Sequence, residues 1–139
     1  DVARAAADAG RCVVGQAPAF GSCPLGTSTQ VSGIVGRPVS GKSGSSDNYS
    51  TESFVGITPQ LAIAGIAANP DNPADLVGAD IQEEVIRSVA TLLRDGLAGQ
   101  PVKDFPNPSE AIAFKSGSAS SPQQAPSPPA TRSPSTEDD

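Results

Sequence analysis

Apolar positions along the chain follow two periods, and the switches between them mark out the elements. Residues 2–9 are Ala-rich with Arg and Asp interspersed and read as the end of a helix, with Gly10 as its stop. Residues 11–26 hold Pro18, Pro24 and several glycines and read as a loop. Thr27 or Ser28 is placed to cap a short helix carrying Val31, Ile34 and Val35 on one face, ended by Gly36, Arg37 and Pro38. Residues 39–45, VSGKSGS, have the alternating character of a strand, on which Lys42 and Ser45 are expected to point the same way. Residues 47–51 are polar and turn-like. Apolar runs at 53–57 and 61–68 flank Thr58, Pro59 and Gln60 as a hairpin does. The second run, LAIAGIAA, is apolar on both faces and reads as a buried central strand.

The clearest periodicity lies further on. Ile81, Val85, Val89, Leu92, Leu93 and Leu97 recur at helical spacing over residues 80–98. Asp80 and Glu83 have the spacing of a capping box, and Gly99 and Pro101 close the segment. The hairpin is expected to pair beside the VSGKSGS strand, with this helix covering the sheet. Residues 115–139 are dominated by Ser and Pro, show no periodicity and lack aromatics. Such a segment buries too little apolar surface to offset its ordering entropy, so it reads as a disordered tail behind a folded part at 1–114.

Composition narrows the function. Hydrophobic residues make up 37% of 139, with no Trp or Met, so the core must be built from Ala, Val, Ile and Leu. Small side chains bury little area each, and such a core is thin for an independent fold. A piece of a larger domain has this composition, and so does a small domain stapled by a disulfide. The net charge is -6 without any Lys/Arg cluster, which argues against a nucleic-acid partner. Histidine is absent, which excludes Ser-His-Asp or Cys-His catalysis within this chain. Cys12 and Cys23 permit one disulfide, which suits an extracytoplasmic setting; two reduced, buried thiols are the alternative.

Residues 36–43 read GRPVSGKS, a literal match to the P-loop pattern G-x-x-x-x-G-K-[ST]. A nucleotide-binding module would put backbone amides around a phosphate, Lys42 on the terminal phosphates and Ser43 on magnesium. A P-loop, however, follows a buried strand and opens a long helix. Here the motif runs into Gly44, Ser45, Ser46, Asp47 and Asn48 and then an apolar strand. The second reading takes Lys42-Ser43-Gly44 as the K-[ST]-G triad of serine penicillin-recognising enzymes.

The neighbourhood favours the triad. The run RPVSGKSGSSDN, followed by ESFVGITPQLAIAGIAANPDNP, resembles the bifunctional class A penicillin-binding proteins. In that family an Arg-Pro step leads into V-x-GKTGT and a polar loop. A strand with F-V-G-x-T-P-Q-L follows, then an apolar strand ending in a D-P-D-x-P type loop. The final helix and the segment PVKDFPNPS resemble the family's domain end. The likeness is strong over residues 31–109, weaker over 1–26 and absent in the tail.

The resemblance implies an α+β fold, an antiparallel sheet flanked by helices and part of the penicillin-binding/β-lactamase-like transpeptidase architecture. It implies a parent that acylates a serine with the D-Ala-D-Ala end of a peptidoglycan stem peptide and passes the acyl group to a neighbouring stem. β-Lactams mimic that donor, and the parent works at the extracytoplasmic face of the bacterial membrane without a cofactor. Lys42 would supply positive potential, Ser43 a hydroxyl where the family usually has Thr, and Gly44 room for close approach. Ser45 would give its N–H to the oxyanion hole and its hydroxyl to the substrate carboxylate.

The departures define what this chain lacks. No Ser stands three residues before Lys42, Lys103 or Lys115, so the nucleophile motif S-x-x-K is absent. Ser46, Asp47 and Asn48 spell S-x-N, but they follow the K-S-G segment, whereas the family's functional S-x-N precedes it; this copy reads as a polar turn. The implied partner is therefore the N-terminal part of the same protein. Asp71, Asp75 and Asp80, with Asn69 and Asn72, suit turns and caps better than a calcium loop. Glu83 and Glu84 read as a solvated face. A small secreted, disulfide-linked binding module is the remaining alternative.

Overall fold

In the computed structural model, which describes residues 1–113, helix α1 (Val2–Val13) leads through a loop to α2 (Gln30–Val35). Strand β1 (Ser40–Ser45) follows, then a single turn at Asp47–Tyr49, strands β2 (Thr51–Ile57) and β3 (Ala62–Ala68), helix α3 (Asp80–Gly96) and the short α4 (Glu110–Ala113). The fold is α+β: a three-stranded antiparallel sheet in the order β1-β2-β3, flanked by helices. The Ser/Pro-rich segment 115–139 lies outside the described residues.

Helix α3 closes one face of the sheet. A Cβ built on Gly56 would meet Leu93 Cδ1 at 2.7 Å, and one on Gly65 would meet Val89 Cγ2 at 2.8 Å. These two positions therefore let the helix side chains rest on strand backbone. Val31 and Val35 of α2, Val39, Phe54 and Ile86, Val89, Ala90 and Leu93 of α3 form one buried cluster with Val14. Arg37 ties off the end of α3: its Nη2 donates at 3.0 Å to the Leu97 carbonyl, which also accepts from the Gln100 N–H at 3.0 Å. Cys12 and Cys23 form a disulfide, with Cα atoms 5.3 Å apart, across the loop that follows α1.

Several expectations change. Helix α1 does not stop at Gly10 but runs to Val13. Gly10 marks the crossing of α1 over β1: a Cβ there would run into Ser40 Oγ and lie 3.2 Å from the Gly41 carbonyl. The LAIAGIAA run is not central. It forms edge strand β3, and β2 lies in the middle. Its small apolar residues alternate between the α3 side and a face left open, where Ile66 is 73% exposed.

The capping expectations also fail. Helix α3 starts one residue early, with Ala79 as N-cap and no side-chain cap. Asp80 falls within the first turn, and Glu83 instead accepts from Gln30 Nε2 at 2.7 Å and Arg87 Nη2 at 2.9 Å. Thr29, not Thr27 or Ser28, stands at the N-cap of α2, again without a side-chain bond. The buried stripe of α3 is Ile86, Val89, Ala90, Leu93 and Leu97. Val89, Leu93 and Leu97 are buried as the pattern assigns, whereas Leu92 is 56% exposed and Val85 half-buried.

Leu93→Ala should destabilise the chain by about 2–5 kcal/mol in denaturant titration, the usual loss for a buried Leu, whereas Leu92→Ala should change it by less than about 0.5 kcal/mol. Opening the disulfide by a C12S/C23S double substitution should lower stability by about 2–4 kcal/mol, because the unfolded chain regains its loop freedom.

Candidate functional site

Strand β1 is led into the sheet by a side-chain clamp. Gln16 Nε2 donates to the Arg37 carbonyl at 2.9 Å, and Gln16 Oε1 accepts from Val39 N–H at 3.1 Å. The carboxamide thus pairs with the chain on either side of Pro38 as a neighbouring peptide would, compensating for the donor that proline lacks. From there β1 pairs with β2 in the register Ser40↔Ile57, Lys42↔Val55, Ser43↔Phe54 and Ser45↔Glu52.

β1 is an edge strand, so half of its backbone groups face away from β2. Ser46 N–H donates to the Thr51 carbonyl at 2.9 Å, which makes that pair hydrogen-bonded. Antiparallel pairs alternate, so Gly44 and Lys42 direct their amides at β2, and Ser45 and Ser43 direct theirs outward along the free edge. Side chains alternate as well. Lys42 projects from the open face, and Ser43 and Ser45 lie on the α3 face with Glu52 and Phe54. Lys42 and Ser45 therefore point in opposite directions, contrary to the expectation from sequence: an odd separation along a strand reverses the face.

The lysine is exposed, and its Nζ donates to the Ser43 carbonyl at 2.6 Å; among the described residues no carboxylate pairs with it. Ser43 Oγ lies 3.5 Å from Thr27 Oγ1, so the loop after the disulfide brings a second hydroxyl to the edge. A Cβ on Gly44 would meet Ser53 Oγ at 2.7 Å, and that hydroxyl donates to the Gly44 carbonyl at 3.2 Å. The open face forms a concavity of about 540 Å³, with Lys42 and Gly44 at one side and Val55, Ala64 and Ile66 as its floor. The arrangement offers an ammonium, a hydroxyl and outward amides to a ligand lying along the edge.

The Ser45 hydroxyl is committed elsewhere. It donates to Oε1 of Glu52, whose Oε2 accepts from Gln82 Nε2 at 2.8 Å. Glu52 is fully buried. Sequence reading passed over it, although strand alternation from Phe54 and Gly56 already puts residue 52 on the face that α3 covers.

The P-loop reading fails on geometry. Lys42 and Ser43 lie within a strand, and the chain continues into one turn and another strand. Ser46, Asp47 and Asn48 occupy the β1–β2 turn, as expected. That turn has Asn48 and Tyr49 at φ 59° and 58°, and the Tyr49 carbonyl accepts from Val77 N–H at 2.9 Å. Asn69 and Asp75 serve the loop before α3: Asn69 Oδ1 accepts from Asp71 N–H at 3.0 Å, and Asn69 Nδ2 donates to Asp75 Oδ2 at 2.8 Å. No helix among the described residues is long and apolar enough to cross a membrane.

Comparison with known proteins locates the fold. No protein-family model and no curated sequence matches the chain. Among solved structures, the crystal structure of penicillin-binding protein 1A from Haemophilus influenzae matches 76% of this chain, with a TM-score of 0.58 and 18% sequence identity. The chain corresponds to 15% of that protein's length. The α+β arrangement described above is thus a fold found within a penicillin-binding protein.

Lys42→Ala should leave folding stability within about 0.5 kcal/mol of wild type, since the side chain is exposed and, among the described residues, makes only one local hydrogen bond. ATP with magnesium should leave the thermal midpoint of the chain unchanged, because a ligand that does not bind the native state cannot shift it.

Proposed function

We propose that this chain is a C-terminal part of the transpeptidase domain of a bifunctional class A penicillin-binding protein, in which β1 is the substrate-carboxylate and oxyanion edge. The observation that carries the reading is the position of Lys42-Ser43-Gly44. The triad lies on a free edge strand beside an open concavity, in a fold shared with a penicillin-binding protein. The extended likeness of residues 31–109 to that family supports it further.

In this reading a serine of an S-x-x-K segment, carried elsewhere in the same protein, attacks the carbonyl of the penultimate D-Ala of a stem peptide. The terminal D-Ala leaves, and the acyl group passes to an amine of a neighbouring stem. Lys42 supplies positive potential beside the nucleophile and the substrate carboxylate, and Ser43 gives the carboxylate a hydroxyl. Gly44 leaves room for the substrate backbone. The outward N–H of Ser45 donates to the oxyanion as negative charge develops. In this reading the Ser45 hydroxyl serves Glu52, to which it donates, and on β1 Ser43 alone gives the substrate carboxylate a hydroxyl. The setting is extracytoplasmic, and the partners are peptidoglycan stems, β-lactams that imitate them and the N-terminal part of the same protein.

Acyl transfer needs a nucleophile, a base and an oxyanion hole, and this chain holds only part of the last. The 139-residue chain should therefore not be covalently labelled by a fluorescent penicillin. The intact protein should be labelled, and Lys42→Ala in it should slow acylation by about 100-fold or more, the scale of losing one electrostatic stabiliser. Stable labelling of the chain alone would point to a different nucleophile, with Ser46 the first residue to replace. Labelling of the intact protein that is indifferent to Lys42→Ala would remove the edge from the reaction.

A further inference from the structure

We propose that Thr27 is a further substrate-binding residue of this edge: its hydroxyl joins that of Ser43 in donating to the terminal carboxylate of the donor stem peptide. The inference rests on the edge reading above and adds to it a residue from outside β1.

The need for a second donor follows from Glu52. A carboxylate has two oxygens and about four lone-pair sites. Ser43 can fill one of them, but the Ser45 hydroxyl, next on the same face of β1, already donates to Glu52. The loop after the disulfide supplies the hydroxyl that the strand withholds. Thr27 Oγ1 lies 3.5 Å from Ser43 Oγ, in a contact exposed to solvent. That separation exceeds the usual O–H···O distance of about 2.7–2.8 Å, so the two hydroxyls are neighbours rather than a closed pair. Among the described residues neither has another partner. Thr27 does not cap α2, whose N-cap is Thr29. Two donors side by side, committed to nothing else, can converge on one anionic group.

Thr27 is also held in place before any ligand arrives. Its neighbours are fixed on the C-terminal end of α1. Ser28 is fully buried, with its N–H donating to the Val13 carbonyl at 2.9 Å, and a Cβ on Gly26 would lie 2.8 Å from that same carbonyl. Cys23, just upstream, is tied to Cys12 in the last turn of α1. Helix α1 in turn packs on β1, where Gly10 admits Ser40. The exposed hydroxyl therefore stands on a frame referred to the strand it serves. A loop ordered in advance spares the ligand the cost of ordering it.

The test measures the second-order rate at which a fluorescent penicillin acylates the intact protein. T27V and T27A, either of which removes the hydroxyl, should slow it about ten-fold, the low end for losing a hydrogen bond to a charged group, because the site is open to water. T27S keeps the hydroxyl and should recover most of that loss. The melting midpoint should hold in all three, since residue 27 is exposed. The same penicillin as its methyl ester carries no carboxylate, so wild type and T27V should react with it at one rate. Wild-type kinetics in T27V and T27A, T27S as slow as T27V, or an equal loss with the ester would each overturn the role. If Lys42→Ala leaves labelling unchanged, the edge reading fails first and takes this role with it, whereas a Lys42→Ala defect with normal T27V kinetics rejects Thr27 alone.

Discussion

Everything in this structure depends on how closely α3 approaches the sheet. Val85, Val89 and Leu93 rest over backbone at Gly56 and Gly65, where a Cβ would lie within 2.7 and 2.8 Å of helix atoms. A core made of Val, Ala, Ile, Leu and one Phe has little bulk with which to bridge a wider gap, so contact depends on the missing side chains opposite. That contact decides which face of the sheet is closed. It also gives polar residues a fixed frame. Arg37 fastens the start of β1 to the C-terminal end of α3 and, through Glu52, Gln82 fastens its end near the helix start.

The edge strand is consequently held at both ends and left unpaired along its outer side. Its composition suits that state. Residues 40–45 are all Ser, Gly or Lys, so nothing large covers the outward amides, and a charged Lys42 guards the open face. Exposed edges are templates for unwanted pairing, and small polar residues with a lysine are a common defence. In the proposed reading the same features make a carboxylate-binding margin. The concavity beside it is floored by Val55 and Ile66, which are 40% and 73% exposed. An apolar floor next to a cationic, amide-lined rim is the usual composition of a ligand site.

Much of this was legible in the sequence. The hairpin and the covering helix follow from periodicity, because each is a repeat of apolar positions against one face, and the strand carrying Lys42 follows from the alternating character of VSGKSGS. What sequence hid are features set by long-range approach. Gly10 looked like a stop, because a glycine that admits a crossing strand cannot be told locally from one that ends a helix. LAIAGIAA looked central because Ala is small enough to sit on either a buried or an open face. Asp80 and Glu83 had capping-box spacing, but Glu83 was claimed by Gln30 and Arg87. Glu52 was hidden for the same reason: its partners lie on β1 and α3, and only pairing register brings them together.

The central claim is that this sheet edge is the substrate-carboxylate and oxyanion edge of an acyl-transfer site whose nucleophile belongs to the same polypeptide. Determining the residues encoded in frame before Asp1 tests that directly. The account predicts an S-x-x-K segment followed by S-x-N, in that order, ahead of the edge strand. A reading frame that codes for an upstream domain without those two motifs would contradict it.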